Sequence, residues 1–174
     1  EIQMNQEVLQ DILASDAILL DTRLASVFAQ SHLSGSLSIP HQRSFCTWAG
    51  WLIDEQSPLY VLGNKEDHQQ ILSDLRAVGI DHVLAMVDSN EIQKNIDLSP
   101  LLKDMKEMDV MTATSLVYQQ DVTLIDVRNS SEWLEGHLPH AVHIPLGSLD
   151  TSDSMRFLKI NRYLSNVVQA LALP

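Results

Sequence analysis

The chain has only one cysteine, Cys46, in 174 residues. One thiol excludes an internal disulfide framework and a cysteine-built zinc cage, and a reducing cytoplasm is the expected compartment. Basic residues are scarce: 11 Lys and Arg stand against 23 Asp and Glu, for a net charge of -12 with neutral His. Such a chain repels phosphate backbones and anionic bilayers, so neither nucleic acid nor a membrane surface is an expected partner. No apolar run approaches the ~20 residues that a membrane span requires. The opening Glu1-Ile2-Gln3-Met4 has neither a basic nor an apolar leader region, so no signal peptide is expected. Its first residue is not Met, as in a cut or processed chain. Aromatics make up 5% of the residues and apolar residues 45%, enough for one large domain or two small ones.

What is present is a repeat. Leu19-Leu20-Asp21-Thr22-Arg23 recurs as Leu124-Ile125-Asp126-Val127-Arg128, an offset of 124 minus 19, or 105. Ser31-His32-Leu33-Ser34-Gly35-Ser36-Leu37-Ser38-Ile39-Pro40 recurs at the same offset as Gly136-His137-Leu138-Pro139-His140-Ala141-Val142-His143-Ile144-Pro145, and Phe28 pairs with Trp133. Two copies of one domain are therefore expected: residues 1–96, a linker over 97–112, and residues 113–174.

Each copy opens with an amphipathic helix, 5–14 or 113–120. In the first, Val8, Leu9, Ile12 and Leu13 have helical spacing. A short apolar strand ending in a carboxylate follows, 17–21 or 122–126. Next come a short helix, 24–30 or 130–134, and an extended segment ending in Ile-Pro. Copy one continues with a helix at 48–53, a strand at 59–62, a helix at 67–78 stopped by Gly79, and a strand at 82–87. The alternation predicts an α/β fold: a parallel sheet with helices on both faces. Copy two departs from this plan. Leu164-Ser165-Asn166-Val167 resembles Leu72-Ser73-Asp74-Leu75 at an offset of 164 minus 72, or 92. About 13 residues are then lacking where copy one has its 59–62 strand, so the second domain is read as incomplete.

The strand ending Asp-x-Arg, the following aromatic, and Gly136-His137-Leu138-Pro139 through Ile144-Pro145 resemble the rhodanese-like sulfurtransferases. Their pattern is Gly-His-Ile/Leu-Pro-Gly-Ala-x-x-Ile-Pro. Copy one matches less tightly, with Ser31 and Ser34 replacing the first Gly and the Pro. The segment Phe45-Cys46-Thr47-Trp48-Ala49-Gly50-Trp51-Leu52 is similar to one subgroup, in which a metallo-β-lactamase domain precedes two rhodanese domains, as in fusions of persulfide dioxygenase to sulfurtransferase. The resemblance implies two rhodanese-like domains, with that metallo-β-lactamase-like domain as the absent N-terminal partner. An iron or zinc site would belong there, and no cofactor is expected in this chain.

The same resemblance implies chemistry on sulfane sulfur, from thiosulfate or a persulfide, carried by a cysteine in the loop after the central strand. Copy one offers Tyr60-Val61-Leu62-Gly63-Asn64-Lys65-Glu66-Asp67 there. It has no cysteine, and Glu66 and Asp67 would oppose an anionic sulfur, so the first domain is read as non-catalytic. Copy two offers Phe157-Leu158-Lys159-Ile160-Asn161-Arg162, with Phe157 where sulfur should sit. Either the second domain is degenerate, or the sequence lacks a segment carrying the cysteine; the well-formed opening half favours the latter. No catalytic residue is assigned in this chain, which is expected to be inactive as written although the intact protein would be a sulfurtransferase. Arg128, Asn161 and Arg162 are the substrate-binding candidates. The alternative is a non-catalytic docking or regulatory module. Phosphatases of the same fold need Cys-x5-Arg, which does not occur here.

Other features have plainer readings. Cys46 is expected to be buried and inert. Asp21 with Arg23, and Asp126 with Arg128, are read as networks fixing the strand ends, with His32 and His137 as structural hydrogen-bonding residues. His137, His140 and His143 have a spacing that can suggest metal ligands, but on an extended segment His137 and His140 point apart, so no metal site is assigned. Trp48 and Trp51 are read as core, and the acidic surface as a solubility feature. Exposed strand edges in an incomplete copy would invite pairing into a homo-oligomer.

Overall fold

The computed structural model describes residues 4–94, 96–105, 110–118, 124–145, 148 and 168–169. It forms two compact units, Glu1–Met105 and Lys106–Pro174, each taken by itself below. Among the described residues, no helix is long and apolar enough to cross a membrane.

In the first unit, α1 (Gln6–Ala14) is started by Asn5, whose side chain accepts from the Val8 amide at 2.9 Å, satisfying a donor that the first helical turn leaves open. Then follow β1 (Ile18–Asp21), α2 (Ala25–Gln30), β2 (His32–Leu33), β3 (Leu37–Ser38) and α3 (Phe45–Leu52). After these come β4 (Leu59–Gly63), α4 (His68–Ala77), β5 (Val83–Asp88), α5 (Ser89–Lys94) and β6 (Leu102–Lys103). One sheet of order β3-β1-β4-β5 is parallel throughout, and β6 pairs antiparallel with β2.

Alternate residues along each strand face opposite sides, which divides the core in two. Leu20, Val61 and Met86 lie on one face with Phe45 and Ala49 of α3 and Ile71 and Leu75 of α4. Leu19, Leu62 and Val87 lie on the other with Leu9 and Ile12 of α1 and Leu98. The parallel sheet therefore has helices on both faces. Gly79, at φ +83°, ends α4 in the left-handed conformation that glycine adopts without steric cost.

Several boundaries differ from the sequence expectation. α3 begins three residues early, at Phe45, because that ring is a buried core residue. Residues 98–103 were assigned to a linker, yet Leu98 is fully buried against α1 and β6 is laddered onto β2. Trp51 was read as core but is 68% exposed, with its ring edge against Trp48. Leu13 also faces outward, since α1 turns only Leu9 and Ile12 fully inward.

The second unit contains α6 (Val110–Tyr118), β7 (Leu124–Asp126), α7 (Ser130–Glu135), β8 (Val142–His143) and β9 (Val168–Gln169). A capping box starts α7: Asn129 accepts from the Glu132 amide, and Glu132 accepts from the Asn129 amide. Its sheet, β8-β7-β9, is parallel. Ile125 faces Val142 and Asp126 faces His143, as Leu20 faces Leu37 and Asp21 faces Ser38, each 105 positions earlier. β9 changes one reading. Leu124 faces Val168 as Leu19 faces Tyr60, so a strand stands where the 59–62 counterpart was thought lacking. The offset there is 168 minus 60, or 108, and the four-residue match at 164–167 lies outside the described residues. Among the described residues this sheet has no fourth strand.

Candidate functional site

In an open parallel sheet, ligand chemistry gathers beyond the carboxyl ends of the strands, where the loops converge. In the first unit that edge is built from Asp21-Thr22-Arg23 after β1, Gly63 to Asp67 after β4, and Asp88-Ser89 at the end of β5. Asp21 and Arg23 form a buried bidentate pair. Arg23 Nε donates to Asp21 Oδ1 at 2.9 Å and Nη2 to Oδ2 at 2.6 Å, and the Arg23 amide donates to Oδ1 at 3.0 Å. Nη2 also donates to the Ser31 carbonyl at 2.9 Å, tying the strand end to the segment after α2. His32 stacks on Phe28 at 4.0 Å and donates from Nδ1 to the Phe28 carbonyl at 2.9 Å.

The loop after β4 is tied down. Thr22 donates from both its amide and its hydroxyl to the Leu62 carbonyl at 2.8 Å. A 3-10 turn over Lys65–Asp67 follows. Asn64 Nδ2 donates to Asp67 at 3.2 Å, the Ser89 hydroxyl to Asn64 Oδ1 at 3.0 Å, and His68 Nε2 to the Gly63 carbonyl at 3.2 Å. Gly63 has no room for a side chain, since a Cβ there would lie 2.5 Å from the Thr22 hydroxyl and 3.0 Å from Ile71 Cδ1. A sulfur-carrying residue at the end of β4 would have to displace the Thr22 side chain, and the sequence has none there. Nearby, His41 Nε2 donates to Asp74 Oδ2 at 2.8 Å. That bond, with a second from Gln70, holds the Asp74 carboxyl below its usual range. Cys46 is half-buried against the α3–α4 side of the core, and its thiol points at the Asp74 carbonyl, 3.8 Å away.

The second unit repeats this construction. Arg128 Nε donates to Asp126 Oδ1 at 3.0 Å, Nη2 to Oδ2 at 2.7 Å, and Nη2 also to the Gly136 carbonyl at 2.9 Å. Each partner stands 105 positions after its counterpart. The bonds from Arg128 lower the Asp126 pKa, and the carboxylate in turn raises that of the guanidinium. His137 stacks on Trp133 at 3.5 Å and donates to its carbonyl at 3.0 Å. His143 also stacks on Trp133, at 4.7 Å, and donates from Nε2 to the Arg128 carbonyl at 2.9 Å.

The segment from His137 to His143 is not extended throughout. Pro139 and His140 form a turn, and His140 is left-handed at φ +64°. Gly35 occupies the equivalent place at φ +83°. The turn, not strand alternation, sets where these histidines lie. Among the described residues, no group of three His, Cys, Asp or Glu could hold a metal ion. Of the substrate-binding candidates, Arg128 is engaged by Asp126 and Gly136. Asn161 and Arg162, like Phe157, lie outside the described residues, and both candidates precede β9 in the chain. Sequence reading missed Thr22 and Gly63 as a mutually filling pair, because no local motif marks a contact across two strands.

Residues 111–167 match the family model of the rhodanese-like domain. That match falls within the second unit. Among solved structures, the fold is similar to the Alr3790 protein from Anabaena sp., at 20% identity and TM-score 0.50 over 66% of this chain and 96% of that one. It is also similar to the Rhodanese_3 like domain of that protein, at 18% identity and TM-score 0.45 over 54% of this chain and 98% of that one. A thiosulfate sulfurtransferase from Pseudomonas aeruginosa matches at 19% identity and TM-score 0.40, over 84% of this chain and 34% of that one. No curated protein matches significantly. At such identities the structural likeness speaks for fold alone, and the fold is rhodanese-like.

Proposed function

We propose that the chain is a tandem rhodanese-like module that handles sulfane sulfur, from thiosulfate or a persulfide, within a larger cytoplasmic protein of sulfide metabolism. The observation that carries this reading is the rhodanese-like domain at residues 111–167; the 105-residue register shared by the two strand-end networks supports the tandem arrangement. The chemistry proposed for the intact second domain is a two-step transfer. A cysteine thiolate attacks the outer sulfur of thiosulfate, forming a persulfide and expelling sulfite. A nucleophile such as cyanide then takes that sulfur and releases the thiolate. The cysteine would sit at the carboxyl end of β9, the place that Gly63 holds in β4, and the given sequence has no cysteine besides Cys46. The first unit serves as a non-catalytic partner. The similarity of residues 45–52 to metallo-β-lactamase/rhodanese fusions supports such a domain on the N-terminal side, holding the iron or zinc.

A docking or regulatory module is the second reading, favoured by the filled site at Gly63 and Thr22. Thiosulfate-to-cyanide sulfur transfer by this chain is expected to stay at background. Clear turnover that is lost in Cys46→Ser would overturn the assignment of the nucleophile to the second domain. In the intact protein, no cysteine-dependent transfer from the second domain would leave the docking reading.

A further inference from the structure

We draw no further inference here: the strongest candidate, the aromatic surface patch on α3 where the exposed Trp51 ring meets Trp48 edge-on, carries nothing because nothing in the structure shows what covers it.

Discussion

The repeat supplies one ion pair in two degrees of burial, so Asp21→Asn and Asp126→Asn form a matched experiment. The bonding is the same in both: Nε and Nη2 of the arginine grip the carboxylate, and Nη2 also reaches a carbonyl eight residues on. Only the surroundings differ. The Asp21 and Arg23 side chains are 0% and 5% exposed, whereas those of Asp126 and Arg128 are 13% and 34% exposed. Removing one charge from a buried pair leaves the other uncompensated, at a cost of about 3–5 kcal/mol. In the second unit water solvates the orphaned guanidinium, so Asp126→Asn should cost a small fraction of that. For a unit of this size unfolding in urea at ~1–3 kcal/mol per molar, Asp21→Asn should lower the midpoint by about 2 M or abolish folding. Urea titrations read the units separately by tryptophan fluorescence: Trp48 and Trp51 in a Trp133→Phe background, and Trp133 with the other two replaced by Phe. The double variant Asp21→Asn/Arg23→Met removes the orphaned charge and should recover part of the loss. Equal costs at Asp21 and Asp126, or no recovery in the double variant, would refute the burial argument.

Other outcomes follow from single positions. His140→Gly should stabilise the second unit by about 0.5–1 kcal/mol, because a left-handed residue with a Cβ is strained by ~1–2 kcal/mol and glycine returns part of that as unfolded-chain entropy; the Trp133-reported urea midpoint checks it. Gly63→Cys should cost roughly 2–3 kcal/mol by displacing Thr22 from the Leu62 carbonyl, and should confer no sulfur transfer; Thr22→Gly in the same chain should recover stability. Asp126 has its pKa lowered in the folded state, so its stabilising effect is complete above the ordinary carboxylate value and is lost as pH falls through the lower folded value. Acid unfolding followed at Trp133 below about pH 4 should therefore be shallower in Asp126→Asn than in the parent.

The Asp-x-Arg and Phe/Trp-to-His elements were legible because their bonds are local, spanning two to eight residues, and side-chain identity at a fixed spacing encodes them. The two-faced core was legible for a similar reason: Leu19 and Leu20 alternate within one short apolar run, and only a doubly covered strand uses both. Contacts between distant segments were not. Leu98 and Leu102 look like linker residues until β2 is known to need a partner strand. Val168–Gln169 was not legible as a strand because two residues beside β7 carry no periodicity of their own. Trp51 shares a helix face with Trp48 by spacing, yet that face runs past the edge of the core, which periodicity alone cannot show. His140 carries the turn of Gly35 without its residue type, so a motif keyed to glycine misses the turn.

The strand-end network and the loop after the next strand are separable parts of this fold. Asp21, Arg23 and His32 hold the carboxyl end of β1 to α2 and β2 using only their own side chains and nearby carbonyls. None of those bonds reaches Gly63. The first unit can therefore keep the whole network while its β4 loop is filled by the Thr22 hydroxyl and closed by the Asn64, Asp67 and Ser89 bonds. In the second unit the residue in Thr22's place is Val127, which has no hydroxyl to bind the neighbouring strand's carbonyl. The closure of the first unit's loop thus lies in a threonine and a glycine in contact, and not in the residues that make the halves look alike.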